Sequence, residues 1–395
     1  MYLLVCNAGS TSLKFKLYNM PSIQPLSEGK VERVGSHDDA IFHYKNLSNG
    51  FQTTLEGQDI PTYTEGIERY LACLTDKESG ALDDLSLLER VAFKTVLAKE
   101  YYGVHQLTQP VLEAMEDYLP VAPVHNSCYL EAIRQFKGLL PNVPLIGVFG
   151  TAFHTTIPMA RRLYGIPYDW YEQYGIQRFG YHGASHGYVA GEIAAAYGAD
   201  QKVISCHLGG SCSLCAIKDG KSVDNSFGFS LQTGVIHANR VGDLDSYVLP
   251  FLLNSGLSLE EVLTGLEKNG GLKGLSGVSN DLRHVRTAAD AGDERAKIAV
   301  DVFVDGILRY IGSYYVFLGG LNHLVFTGGI GENDYRLRQE VCNRLSHLGV
   351  DLEESANLQG ESRRIISDTD STVKVHIIPA DEESVVAKKA YECVL

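Results

Sequence analysis

Short apolar runs alternate along this chain with longer stretches of helical periodicity. Residues 3–6, 13–17, 203–208, 214–217, 324–327 and 373–378 read as strands. Helical spacing marks residues 109–118, 128–137, 187–197 and, most clearly, 293–318, where Ile298, Val302, Val304, Leu308 and Ile311 fall near one another at helical spacing. Strands and helices mixed in this way predict an α/β fold with at least one sheet covered by helices. An internal echo sharpens the expectation. An apolar strand at residues 2–6 enters the small, polar turn Asn7-Ala-Gly-Ser-Thr-Ser12 and leaves through a strand carrying Lys14; near residue 203 a second strand enters Gly209-Gly-Ser211 and leaves toward Ile217. Two strand–turn–strand units, each opening about half the chain, predict a duplicated fold with a cleft between its halves, not a short-period repeat.

At 395 residues the chain is long enough for two cores. Its 34 basic against 48 acidic side chains give a net charge of −14, which argues against nucleic acid or an anionic membrane surface as the main partner. The uncharged stretch 310–331 is long enough to raise the question of a membrane span. Its glycines, Asn322 and His323 divide it instead into a helix end, a Gly-Gly turn and a strand. Eight cysteines, mostly in apolar runs, suit buried thiols in a reducing cytoplasm, and residues 1–6 read as a strand rather than a secretory leader.

The loops carry the candidate chemistry. Glycine and serine in a tight turn let backbone N–H groups approach a phosphate, and the Asn7 turn adds an amide and hydroxyls for an oxyanion or hydrated metal, with Lys14 following as a point charge. An ordinary hairpin turn uses the same residues. The turn at His207-Leu-Gly-Gly-Ser211 offers the same pair of readings, and Val325-Phe-Thr-Gly-Gly-Ile-Gly-Glu-Asn333 reads as strand, glycine turn and a helix opening near Asn333. His182 sits among glycines before a helix expected from Gly187, either open to a ligand or satisfied by loop backbone. Arg240 stands in a turn suited to clamping a phosphate or carboxylate, or else pairs with Asp243 or Asp245. Cys212 and Cys215, three apart on a strand, face opposite sides and make a poor metal pair. Asp381-Glu-Glu383 either helps hold Mg²⁺ or is an acidic helix start.

Assembled in order, these segments resemble the acetate kinase family, within the larger actin/hexokinase-like group of ATP-binding folds. The resemblance runs nearly end to end through Asn7-Ala-Gly-Ser-Thr-Ser-Leu-Lys-Phe15, Ala122-Pro-Val-His-Asn126, Thr151-Ala-Phe-His154, Tyr174 to His186, His207-Leu-Gly209, Gly242-Asp-Leu-Asp245, Asp281-Leu-Arg283, Phe326 to Asn333 and Ile378-Pro-Ala-Asp-Glu-Glu383. It implies duplicated ribonuclease-H-like (actin-like ATPase) domains with ATP and substrate in the interdomain cleft. The first would be residues 1–150, completed by a C-terminal helix at about 384–395; the second, residues 151–383, would bind nucleotide and join a homodimer. The implied reaction is reversible, ATP- and Mg²⁺-dependent phosphorylation of a small carboxylate to an acyl phosphate.

Carried over by position, Asn7 and Glu382 would hold Mg²⁺, and Lys14, His207, Leu208, Gly209, Gly210, Ser211, Asp281, Leu282, Arg283, Gly329, Ile330, Gly331, Glu332 and Asn333 would bind ATP or ADP. His182 and Arg240 would stabilise the transferring phosphoryl group, which asks mainly for positioning and for cations around its oxygens. The acceptor side departs from the family. Gly150 stands where the family has Asp, and Lys94 where it has Arg; Tyr181, Leu231 and Gln232 replace the usual Phe, Pro and Leu. Without a base at position 150 an alcohol acceptor is disfavoured, whereas a carboxylate with a pKa near about 4 is already ionised and needs only orientation. A homologue that binds ATP without transferring phosphate, and a kinase with another acceptor, stay open as alternatives.

Overall fold

The computed structural model describes residues 1–394. Among them the strands are β1 (Tyr2–Gly9), β2 (Ser12–Asn19), β3 (Gln24–Glu32), β4 (Ser36–Asn46), β5 (Gln52–Ile60), β6 (Leu88–Phe93), β7 (Val104–Gln106), β8 (Leu145–Val148), β9 (Lys202–Leu208), β10 (Cys212–Lys218), β11 (Lys221–Asn225), β12 (His323–Thr327), β13 (Arg364–Ile365) and β14 (Lys374–Ile377). They form two sheets, ordered β5-β4-β3-β2-β1-β6-β8-β7 and β11-β10-β9-β12-β14-β13. The chain divides into two compact units, Met1–Ala152 with the segment from Asp381 onward, and Phe153–Ala380.

The echo in the sequence is a repeat of topology. In the first unit β1, β2 and β3 pair antiparallel, and β6 and then β8 run parallel to β1. In the second, β9, β10 and β11 pair antiparallel, and β12 and then β14 run parallel to β9. Both units are thus the same mixed α/β sheet.

Central strands covered on both faces read as unbroken apolar runs. Leu4 and Cys6 of β1 pack with Leu13 and Phe15 beneath Ile67, Tyr70 and Phe136 of two helices, while Leu3 and Val5 face Val386, Ala387 and Ala390 on the other side. In the second unit Ile204, Cys206 and Phe326 meet Phe303, Ile307 and Ile311; Val203, Cys215 and Val325 meet Val189, Ala190 and Ile193.

Helix ends follow local chemistry where caps exist. Thr62 and Glu65 close a capping box on the helix Tyr63–Thr75. The helix Glu294–Leu318 starts on the Asp293 side chain and stops at Gly319, whose φ of 67° suits glycine. Elsewhere the expected bounds move. Pro123 at a helix start extends the second expected helix, 128–137, to Pro123–Leu139. The helix expected from Gly187 begins at Gly183, because its small first residues bury Ala184 and Ser185 and no side-chain cap marks the start. The turn after β12 enters a helix at Gly328, not near Asn333. The C-terminal helix is Glu382–Glu392, because Asp381 caps it by accepting from the Ser384 N–H; Leu395, the end of the expected helix, lies outside the described residues. The stretch 310–331 divides as expected, and among the described residues no helix is long and apolar enough to cross a membrane.

Candidate active site

In the second unit, the ends of β9 and β12 bring two glycine turns together. Gly209, Gly210, Asp281, Leu282, Arg283, Gly329, Ile330 and Asn333 line one cavity of about 740 Å³. A Cβ at Gly210 or Gly329 would meet nothing within 4 Å, so the open side of both backbones is the cavity itself. The buried hydroxyls of Ser211 and Thr327 have no hydrogen-bond partner here. Open glycine backbone with unsatisfied hydroxyls beside it fits a polyphosphate.

Asp281 begins the helix Leu282–Asp290 by accepting from the Arg283 N–H, and its carboxylate also takes the Arg283 guanidinium, which pulls it down to about 2. Arg286, Asp334 and Arg336 are also among the lining residues, and no sequence motif marked them. Arg286 is buried and donates to Asp334 at 2.9 Å and to both oxygens of Glu340 at 2.9 and 2.8 Å. No local pattern signals a pairing made across about fifty residues. Two expected nucleotide residues are turned elsewhere. Glu332 accepts from the Gly328 and Ala380 N–H groups and so shapes the turn, and Gly331 is buried against β9 and β12.

His182 takes φ 56°, uncommon for a residue with a Cβ, at the start of the helix Gly183–Tyr197. Its Nδ1 lies 2.9 Å from Ser213 Oγ, and its ring lies 4.2 Å from that of His207, which in turn bonds Ser185. Ser213 also bonds His186 Nε2 at 2.8 Å, and His186 Nδ1 bonds Ser205. Burial, then the nearby His154 and His207, push His186 well below its ordinary pKa, so it stays neutral. Leu208 is buried in β9, behind the His207 side.

Arg240 donates to the Leu231 carbonyl at 2.9 Å. Neither Asp243 nor Asp245 pairs with it: Asp243 accepts from the Gly234 N–H and the Tyr310 hydroxyl, and Asp245 accepts from the Tyr247 N–H. Burial lowers the guanidinium below its usual value. Around it, Tyr181 donates its hydroxyl to the Phe229 carbonyl at 2.7 Å, and Gln232 donates to Glu267 at 3.1 Å. The Tyr181 hydroxyl and the Gln232 amide nitrogen therefore engage the protein's own groups, whereas the buried Gln232 amide oxygen is left without a hydrogen-bond partner among the described residues.

The first unit carries the remaining candidates. Asn7 lies near the C-terminal end of β1, two residues before Gly9, and Lys94 follows the parallel β6, its N–H reaching the Cys6 carbonyl. Tyr129 donates its hydroxyl to Asn7 Oδ1 at 2.7 Å, and Lys94 Nζ lies 2.5 Å from Glu382 Oε2. Glu382 opens the helix that packs on β1, β6 and β8. An amide oxygen and a carboxylate are hard donors that suit Mg²⁺, which keeps waters and phosphate oxygens as its other ligands. Lys14 stands directly across the sheet from Asn7 and lines a concavity with Lys16, Lys30 and Lys45.

Residues 2–388 match the model of the acetokinase family. The chain belongs to that family. It is 40% identical to an acetate kinase of Shouchella clausii, with 98% of each chain covered, and 39% identical to one of Halothermothrix orenii over the same shares. Among solved structures it resembles Porphyromonas gingivalis acetate kinase (TM-score 0.87, 34% identity, 99% and 98% covered) and a propionate kinase from Francisella tularensis (TM-score 0.90, 30% identity, both chains covered in full). In this acetokinase-family chain Gly150 leaves an open place. A Cβ there would lie 3.6 Å from the Thr95 carbonyl oxygen, ordinary van der Waals contact, so a side chain could start from this position without a clash at its first carbon.

Proposed function

We propose that this chain is an ATP- and Mg²⁺-dependent kinase of a short carboxylate, acetate or a close analogue, forming an acyl phosphate reversibly. The observation that carries the reading, beside family membership, is Arg240. It is a largely buried guanidinium that donates to a backbone carbonyl, and among the described residues no carboxylate forms an ion pair with it. A cation held in this way is poised for an anion that arrives with the reactants.

In this reading Gly209, Gly210 and Gly329 cradle the nucleotide phosphates, with Asp281–Arg283 along the cavity wall. His182 and Arg240 stabilise the charge that builds on the transferring phosphoryl group. Asn7 and Glu382 would hold Mg²⁺, whose contribution is to neutralise phosphate charge. A carboxylate acceptor is ionised already, so Gly150 costs it orientation and no proton transfer. Eight free thiols accord with a cytoplasmic setting. The exposed Tyr247, Phe251, Leu259 and Leu263 accord with a homodimer.

The test is ADP release from Mg-ATP across acetate, propionate, butyrate and hydroxylated analogues, with hydroxylamine trapping of acyl phosphate. One or more simple acids should stimulate turnover and yield the hydroxamate. ATP binding with silence across the panel would turn the reading to a non-catalytic homologue; turnover with an alcohol and no hydroxamate would mean a different acceptor.

A further inference from the structure

Lys94 and Glu382 are 288 positions apart, yet their charged atoms meet at 2.5 Å with side-chain exposures of only 23% and 15%. Both ends are fixed. Lys94 leaves β6 with its N–H on the Cys6 carbonyl, and Glu382 sits in the first turn of a helix anchored by Val386, Ala387 and Ala390. Asn7 lies near the end of β1, the strand next to β6, and Tyr129 holds its amide oxygen. The ammonium therefore lies on the carboxylate that the functional reading above gives to the divalent cation, and the inference rests on that reading.

We propose that Lys94 is the resident counter-ion of Glu382: it balances the carboxylate while no metal is bound, and a divalent cation must displace it. A half-buried carboxylate stripped of its partner is costly, so the empty site is stable because Lys94 fills the charge position. The same pair competes with the metal. Divalent cations alone then bind weakly, and they enter chiefly as the nucleotide complex, whose phosphates supply the other ligands. A lysine suits this exchange because its ammonium is a compact point charge on a flexible stem, free to swing off the carboxylate.

The experiment is Mn²⁺ binding to the nucleotide-free chain, read from the free-ion EPR signal, in wild type, Lys94→Met, Lys94→Gln, Lys14→Met and Glu382→Gln. Both Lys94 variants should bind Mn²⁺ at least about tenfold more tightly, the factor for about 1.4 kcal/mol. Lys14→Met, which removes a charge across the sheet from Asn7 but no contact to Glu382, should gain less than about threefold if the effect is contact and not general field. Thermal melting supplies a second readout. Lys94→Met should melt lower than wild type in chelated buffer and recover with Mn²⁺, whereas wild type should barely move. No tightening in the Lys94 variants, or equal tightening in Lys14→Met, overturns the proposal. Glu382→Gln separates the two failures. If it binds Mn-ATP like wild type, the assignment of the metal to Glu382 falls; if it loses that binding while the Lys94 variants gain nothing, only the counter-ion role falls.

Discussion

Ser213 Oγ lies 2.9 Å from Nδ1 of His182. The same hydroxyl lies 2.8 Å from Nε2 of His186, and it has one hydrogen to give. Donating to one ring obliges it to accept from, or lose, the other, so the tautomers of His182 and His186 are linked through Ser213. Replacing Ser213 by Ala removes that link without a large change of volume. We expect kcat to fall about tenfold, the worth of one hydrogen bond to an orienting partner, with KM for ATP within about twofold. Ser213→Thr should recover most of the loss. A matched fall in stability with unchanged kcat in the folded fraction would make the serine merely structural.

The glycine turn after β12 separates two effects. Gly328 has φ +78°, and a Cβ there would lie 2.7 Å from the Leu208 carbonyl oxygen, whereas a Cβ on Gly329 meets no protein atom within 4 Å. Gly328→Ala should therefore lower both stability, by about 1–3 kcal/mol, and ATP affinity. Gly329→Ala should leave the melting temperature near wild type and weaken ATP alone, because its methyl enters the cavity. Calorimetric titration with ATP and thermal melts of both variants check this.

The acceptor side is tested by restoring what the family carries. Gly150→Asp introduces no close contact at Cβ and no backbone strain, since Gly150 is outside the left-handed region. Combined with Lys94→Arg, whose fork suits a carboxylate, it should raise acetate turnover several-fold if the site is only weakened. Steady-state kinetics with acetate decide. A folded double variant without gain would point to a pocket reshaped for another acid by Tyr181, Leu231 and Gln232.

Acid should destabilise the fold through buried histidines. His323 Nδ1 and His376 Nε2 lie 3.0 Å apart. Burial first, then Lys374, lowers His323 to about 4; burial, then His323 and Lys374, lowers His376 to about 3. Both are neutral in the native state and take protons more readily when unfolded, where the ordinary value is 6.5. Their contribution is complete above pH 6.5 and is lost as pH falls from there toward 4 and 3, at up to about 1.4 kcal/mol per pH unit for each ring. Urea unfolding between pH 7.5 and 5 should show falling stability, with a shallower slope in a His323→Gln/His376→Gln variant. An unchanged slope would remove the pair as its source.

Much of this protein is legible in the order of its residues. The helix Glu294–Leu318 is legible through its apolar spacing, an Asp cap and a closing glycine, all local signals, although Ile298 and Val302 of the expected pattern are exposed and the buried face runs through Ala299, Phe303, Ile307 and Ile311. The glycine turns beside Gly209 and Gly329 are equally plain, because only certain residues tolerate such backbone. The strands β3, β4 and β5 are less plain: β4 alternates, burying Ala40, Phe42 and Tyr44 between Ile41, His43 and Lys45, but β5 is largely exposed, so no alternation of apolar and polar positions survives there. The sequence also showed that Lys94 and Gly150 break a pattern.

Which group Lys94 meets was decided in three dimensions. Nothing near Lys94 in the chain names Glu382 as its partner, nor Arg286 as the partner of Asp334 and Glu340, nor Tyr129 as that of Asn7. Turns, caps and strands depend on backbone preferences that act over a few residues. Which charges meet depends on how sheets and helices pack, and packing joins positions that the chain keeps far apart.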